Sequence, residues 1–142
     1  MKEDFLHYLW KFKKFDALHL TTTAGEEITI VQVGHYLEQA GPDFFNAQII
    51  IGHQKWAGNV EIHVNASEWI KHDHHKDASY DSCILHVVYE NDTVTRRMDG
   101  SIIPTIELRG RFPSYLWDNF IALISENEWV SCGHRIKEIE SE

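Results

Sequence analysis

Two apolar segments separated by a short polar segment restrict the fold more than any other feature of this sequence. Residues 45–51 (FNAQIII) and 57–64 (AGNVEIHV) have the length and the β-branched content of strands. A Gly-Pro-Asp turn signal at residues 41–43 precedes the first segment. The pattern predicts a hairpin whose return loop, residues 53–56, is centred near residues 54–55.

Side chains alternate between the two faces of a strand, so Glu61 and His63 are expected on one face and their valine and isoleucine neighbours on the other. Asn46 and Gln48 alternate with apolar residues in the first strand in the same way. The predicted return loop places Asn46 and Gln48 across from His63 and Glu61. We therefore expect a polar patch on an otherwise apolar hairpin.

The remaining elements follow from periodicity and turn signals. The sequence predicts three helices: residues 4–15, a short helix from the capping-box pair Asn65 and Glu68 to about 72, and residues 115–125. It predicts strands over 18–22, 27–33 and 82–89, and a further pair over 94–97 and 102–108. A polar loop is expected over 73–81. These elements form one α/β domain over residues 1–125, and an acidic tail follows over 126–142.

Composition excludes several classes of protein. A hydrophobic fraction of 43% with 12% aromatic residues is that of a folded domain, and no apolar run reaches the length of a membrane span. The chain begins without a signal peptide, and Cys83 and Cys132 are expected as free thiols, so we predict a cytoplasmic protein without a membrane partner. The net charge of −9 argues against tight non-specific nucleic-acid binding, although lysines in the first helix leave a local basic patch open.

Asp43 and Glu61 place a carboxylate at each end of the predicted hairpin, and His63 adds a base beside the second. Metal-dependent hydrolysis of a phosphate ester requires such a set of groups. A purely structural interpretation stays open. Asp43 after Pro is ordinary turn chemistry, and Glu61 and His63 are then the solvent-facing side of a strand.

The segment Pro42-Asp43, followed after a strand and a loop by Glu61-Ile62-His63, resembles the signature of the PD-(D/E)xK nuclease-like superfamily. The resemblance implies a restriction-endonuclease-like α/β core, with the order helix, three strands, helix, strand and a mixed central sheet flanked by helices. It also implies metal-dependent hydrolysis of phosphodiester bonds in nucleic acid, either DNA or RNA.

Carried over by position, the resemblance makes Asp43 and Glu61 metal ligands, with the backbone carbonyl of Ile62 on the same ion. Mg²⁺ or Mn²⁺ is the implied cofactor, because hard cations prefer oxygen ligands. His63 stands where the superfamily usually has Lys and is the implied catalytic activator. An imidazole with a pKa of about 6.5 is mostly neutral at pH 7, so His63 would act as a base or a ligand rather than as a fixed positive charge.

A wider resemblance covers roughly residues 4–110. The segments GPDFFNA, WAGNVEIHV, WIKHDHHKDASYD and ILHVVYEND are similar to those of a bacterial family of uncharacterised function. Members of that family continue into a longer C-terminal region, so the resemblance implies that this chain is a truncated or short form of a longer protein.

A histidine-rich segment follows the Glu61 strand. His72 and His74, with Asp77 close behind, suit metals that prefer imidazole ligands, and the segment could fold back over the polar face of the hairpin. A His-rich metal-binding hydrolase centred on His63, His72 and His74 is therefore an alternative, although histidines in a charged loop are more often solvated. Further accessory candidates are Glu38, Asn46 and Gln48.

The replacement of Lys by His63 and the acidic net charge favour a further alternative. In it the chain is a catalytically degenerate module of the nuclease fold that binds nucleic acid or a protein. The sequence also leaves open whether the chain forms a homo-oligomer.

Overall fold

A mixed sheet of six strands carries the fold. The structure is a computed structural model that describes residues 2–36 and 41–130, with the side chains of 126–130 not described. The strands are β1 (Ile28–Gln32), β2 (His35–Tyr36), β3 (Phe44–Ile51), β4 (Gln54–Asn65), β5 (Cys83–Glu90) and β6 (Thr105–Glu107). Their order is β1-β3-β4-β5-β6, and β2 continues along β3 after β1. Pairing is antiparallel from β1 to β4 and parallel from β4 to β6, which confirms the predicted α/β fold with a mixed sheet.

Helix α1 (Glu3–Lys11) covers one face of the sheet. Its apolar residues recur at helical spacing, and Phe5, Leu9 and Trp10 are fully buried against the inward side chains of the strands. The helix ends at Lys11, earlier than the predicted residue 15, because Lys13 adopts a left-handed conformation at φ 50°. The amides after the helix then bond back to the carbonyls of its last turn, which closes the helix.

Helix α3 (Ser114–Val130) packs beside α1. Phe120 is buried, and its ring centroid lies 5.3 Å from that of Phe5. The predicted helix over 115–125 is therefore confirmed, and it extends to Val130. None of the helices in the described part of the chain has the length and apolar character needed to cross a bilayer.

The β3–β4 hairpin is confirmed, but its predicted register is wrong. Ile51 pairs with Gln54, so the turn consists of two residues beginning at Gly52, whose φ of +60° permits a tight turn. Gln54 to Trp56 consequently belong to the strand, and Gln48 lies opposite Ala57. The expectation that Asn46 and Gln48 face His63 and Glu61 is overturned by this earlier turn.

The crossover from β4 to β5, residues 66–82, covers the other face of the sheet. It contains the predicted short helix as α2 (Glu68–Lys71). Two 3-10 turns, His74–Lys76 and Ala78–Tyr80, follow in the segment that was predicted as a polar loop. The Glu68 carboxylate accepts the Asn65 N–H at 3.0 Å, which is one half of the predicted capping box. Trp69 and Tyr80 of this crossover are buried in a second apolar cluster with Cys83 and Ile103.

Two other predicted strand pairs are reduced to single bridges. The strand predicted over 18–22 forms only the bridge between Thr21 and Glu27, and the pair predicted over 94–97 and 102–108 gives β6 and the bridge between Arg96 and Ile102. Both segments lie beside loops. Leu20 is buried in the core, whereas Val94 and Ile102 are exposed.

Candidate functional site

Asp43 and Glu61 meet where β3 begins. Phe44 pairs with Val60, so Asp43 and Glu61 are brought side by side although 18 positions separate them in the chain. The Glu61 Oε1 atom accepts the backbone N–H of Asp43 at 3.1 Å. The Asp43 Oδ2 atom accepts the backbone N–H of Ile62 at 2.8 Å. The Glu61 carboxylate is therefore held by the backbone of Asp43, and the Asp43 carboxylate by the backbone of Ile62, the residue after Glu61.

The surroundings of the pair shift the pKa values of the two acids in opposite directions. Glu61 is only 4% exposed, and burial together with the charge of Asp43 raises its pKa to about 11. Burial alone would also raise the pKa of Asp43, but the neighbouring His7 lowers it below the ordinary value. Without a cation, the pair therefore holds one proton at neutral pH, and that proton lies on Glu61.

His7 on α1 is a site residue that sequence reasoning missed. Its Nε2 atom lies 3.6 Å from Asp43 Oδ2 and 3.6 Å from Glu3 Oε1, and neither ring nitrogen has a hydrogen-bond partner. Burial disfavours its charge, but the two carboxylates prevail and raise the pKa of His7 to about 9. Ligand atoms of Glu3, His7 and Asp43 lie within 4.8 Å of one another. The spacing of Glu3 and His7, one helical turn apart, was the available signal.

The histidine-rich crossover folds over the other side of Glu61. The His74 Nε2 atom is 2.7 Å from Glu61 Oε2, and the His63 Nε2 atom is 3.5 Å from the same oxygen. His72 joins them, since ring nitrogens of His63, His72 and His74 lie within 4.8 Å of one another. The structure thus brings together the three histidines that the sequence proposed as an alternative centre.

Local conformation explains how His74 reaches the sheet. Asp73 takes a left-handed conformation at φ 58°, which turns the chain after α2. The His74 ring then stacks on Tyr80 with centroids 3.8 Å apart and meets the edge of Trp69 at 5.2 Å. His74 is 8% exposed, whereas His72 is exposed at the surface. The segment predicted as a polar loop therefore forms two short 3-10 turns, and the first of them places His74 against Glu61.

Behind His63, a chain of hydrogen bonds runs into the core. The His63 Nδ1 atom lies 2.8 Å from His86 Nε2, and the His86 Nδ1 atom lies 3.0 Å from Thr95 Oγ1. Burial lowers the pKa of His63 to about 3 and lowers that of His86 well below its ordinary value. Both rings are therefore neutral at pH 7. His86 is thus a core histidine whose two ring nitrogens both have hydrogen-bond partners.

Asn46 and Asp77, two further accessory candidates, have hydrogen-bond partners outside this centre. The Asn46 N–H bonds to Asn59 Oδ1, and Asn46 forms a bulge with φ 58°. Asp77 is exposed, and its carboxylate caps the following 3-10 turn by accepting from the N–H and hydroxyl of Ser79. Glu38 lies outside the described residues.

The comparison with protein families gives one result. A family model described as "Protein of unknown function (DUF2851)" matches residues 3–142. The chain belongs to the DUF2851 family. This agrees with the expected membership in a family of uncharacterised function. Searches of curated proteins and of solved structures found no match to this DUF2851 chain. The match therefore brings no activity with it, and function has to be argued from the site.

Proposed function

We propose that the chain is a metal-dependent phosphodiester hydrolase acting on nucleic acid, with Asp43 and Glu61 as ligands of Mg²⁺ or Mn²⁺. The observation that carries the proposal is the meeting of the buried Glu61 carboxylate with the half-buried Asp43 carboxylate at the β3–β4 junction. Imidazoles approach both acids, His7 beside Asp43 and the rings of His63 and His74 beside Glu61. A buried pair of acids that holds a proton is a site where a divalent cation can replace that proton.

The topology supports the same proposal. Apart from the two-residue strand β2, which lies between β1 and β3, the order is one helix (α1), three antiparallel strands (β1, β3 and β4), a short helix (α2) and a parallel strand (β5). This order resembles the restriction-endonuclease core, in which the acid pair lies on the second and third of those strands. Because one fold hosts many functions, the order supports the proposal only together with the acid pair.

In this proposal, each residue of the centre has a defined task. Asp43 and Glu61 hold the cation, which would polarise a phosphoryl oxygen and acidify bound water. The Ile62 N–H fixes Asp43 through Oδ2, which leaves its other oxygen for a ligand. His63 is neutral at pH 7, so it orients the attacking water by accepting a hydrogen bond through Nε2, and it supplies no positive charge as a Lys would.

Calorimetric titration of Mn²⁺ tests the site, and cleavage tests the activity. We would titrate the wild type, Asp43→Asn and Glu61→Gln, with Asp99→Asn as the control because Asp99 is an exposed carboxylate in a surface turn. Mn²⁺ binding that is lost in both site variants and kept in the control is expected. Single-stranded DNA, duplex DNA and RNA would then be assayed with Mg²⁺ or Mn²⁺ against a chelator. Unchanged Mn²⁺ binding in both site variants would overturn the proposal.

A second candidate is a degenerate nuclease-fold module that binds nucleic acid or a protein. It is favoured by one observation, the neutral His63 at the position of the superfamily's Lys. Its signature in the same experiments is nucleic-acid binding without cleavage under every metal tested.

A further inference from the structure

The histidines on the crossover side of Glu61 form a centre whose ligands differ from those of the acid pair. Ring nitrogens of His63, His72 and His74 lie within 4.8 Å of one another. Three imidazole nitrogens suit Zn²⁺, Co²⁺ and Ni²⁺, whereas Mg²⁺ and Mn²⁺ favour oxygen ligands. The ligand set of this cluster therefore differs chemically from the pair of Asp43 and Glu61.

The rings behind the cluster accommodate the tautomer of His63 that a metal requires. With the proton on His63 Nδ1, this nitrogen donates to His86 Nε2, and His86 Nδ1 donates to Thr95 Oγ1. Both imidazole N–H groups then have an acceptor, and the lone pair of His63 Nε2 faces the cluster. Metal-binding histidines characteristically have their second nitrogen held by such a partner.

The exposure of the three histidines also suits a metal site that an ion can enter from solvent. His63 and His74 are buried, while His72 is exposed and can complete the site from the solvent side. The His74 ring is held by its stack on Tyr80, so two of the three ligands are fixed before an ion arrives. Glu61 Oε2, 2.7 Å from His74 Nε2, lies where a fourth ligand would be available.

We propose that His63, His72 and His74 form a nitrogen-donor site for a Zn²⁺-class transition metal, next to the acid pair and sharing Glu61 with it. The site does not depend on nuclease activity. An ion bound here alone would give a three-histidine centre with an open position. With a second ion at Asp43 and Glu61, the two would lie on either side of the Glu61 carboxylate.

Co²⁺ is the probe, because its visible absorption reports nitrogen coordination and low coordination number, and Zn²⁺ competition then gives the affinity. The full chain, free of any polyhistidine tag, would be titrated as wild type, His72→Gln and His74→Gln. His53→Gln in the exposed β3–β4 turn is the matched control. Asp43→Asn separates this site from the proposed nuclease site.

The expected result is an intense Co²⁺ spectrum in the wild type, His53→Gln and Asp43→Asn, with Zn²⁺ affinity reduced about tenfold or more in His72→Gln and His74→Gln. His72 is at the surface, so His72→Gln tests the site without disturbing the core, and circular dichroism checks both variants. A wild type without Co²⁺ absorption, or a Zn²⁺ affinity unchanged in folded His72→Gln and His74→Gln, would overturn the proposal. Loss of Mn²⁺ binding in Asp43→Asn with Co²⁺ binding retained would separate the two sites.

Discussion

The carboxylate of Glu61 holds the backbone of Asp43, and the carboxylate of Asp43 holds the backbone beside Glu61. The two hydrogen bonds, 3.1 Å to the Asp43 N–H and 2.8 Å to the Ile62 N–H, join the start of β3 to the middle of β4. The acids are therefore part of the structure that positions them. The chain's own hydrogen bonds therefore set the relative position of the two carboxylates.

Asp43→Ala should destabilise the metal-free protein more than Asp43→Asn. Alanine leaves the N–H of Ile62, a fully buried residue, without its acceptor, at a cost of about 1–3 kcal/mol, whereas asparagine keeps an oxygen for it. Both variants lose the ionic interaction with His7, so their difference reports the hydrogen bond. Urea unfolding in the presence of a chelator measures it. Equal losses of unfolding free energy would contradict this role of Asp43.

Glu61→Gln should stabilise the metal-free protein while it removes Mn²⁺ binding. The pKa of Glu61 is raised to about 11 in the folded chain, above the ordinary value of 4.5, so the folded state keeps a proton that the unfolded state has released. Glu61 therefore lowers the free energy of unfolding by an amount that grows as the pH rises from about 4.5 towards about 11. Glutamine does not titrate, and its oxygen can still accept the Asp43 N–H.

The gain in unfolding free energy for Glu61→Gln should be small near about pH 5 and on the order of 1–3 kcal/mol near about pH 8. Thermal unfolding followed by circular dichroism, at both pH values and with a chelator, gives the comparison. A gain that shrinks with rising pH would show that Glu61 is ionised in the fold.

Thr95→Val should weaken both the fold and the proposed Zn²⁺ site. Thr95 is 1% exposed, and its hydroxyl is the partner of His86 Nδ1. Valine leaves that nitrogen unpaired at a cost of about 1–3 kcal/mol. It also releases the ring that orients His63, so the Zn²⁺ affinity should fall by about tenfold or more. Thr95→Ser keeps the hydroxyl and should restore the affinity; equal Zn²⁺ affinity in the valine and serine variants would refute this positioning role.

Cys83 should be inert in the folded protein. The thiol is fully buried, and burial raises its pKa to about 12, so almost no thiolate is present at pH 8. In a Cys132→Ser background, reaction with a disulfide reagent should be at least about a hundredfold slower than in denaturant. Reaction at the denatured rate under native conditions would show that the second apolar cluster opens readily.

Local pattern was enough to predict part of this architecture. Alternation in β3 and β4 gave the two strands and put Glu61 and His63 on one face, because side-chain period depends only on neighbours along the chain. The register of the hairpin depends on the two-residue turn that begins at Gly52, whereas the sequence predicted a longer loop centred near residues 54–55.

The residues that sequence reasoning missed are those that act through distant pairing. His7 reaches Asp43 only because α1 packs on the sheet, and His86 reaches His63 only because β5 aligns parallel to β4, with Glu61 opposite His86. Periodicity indicates which face of an element is buried. It does not indicate which two faces meet, so a buried histidine in an apolar strand gave no signal of its partner.

The parallel alignment of β4 with β5 has a consequence for how the protein folds. Parallel strands cannot pair until the whole connection between them has been laid across the sheet, and such non-local pairing is slow compared with helix or hairpin formation. His63 lies on β4, His74 lies in the connection, and His86, which contacts His63, lies on β5. In a refolding experiment, the visible absorption of bound Co²⁺ should therefore appear late, at the rate of the final cooperative folding step. The metal would then report completion of the native state and would not nucleate folding.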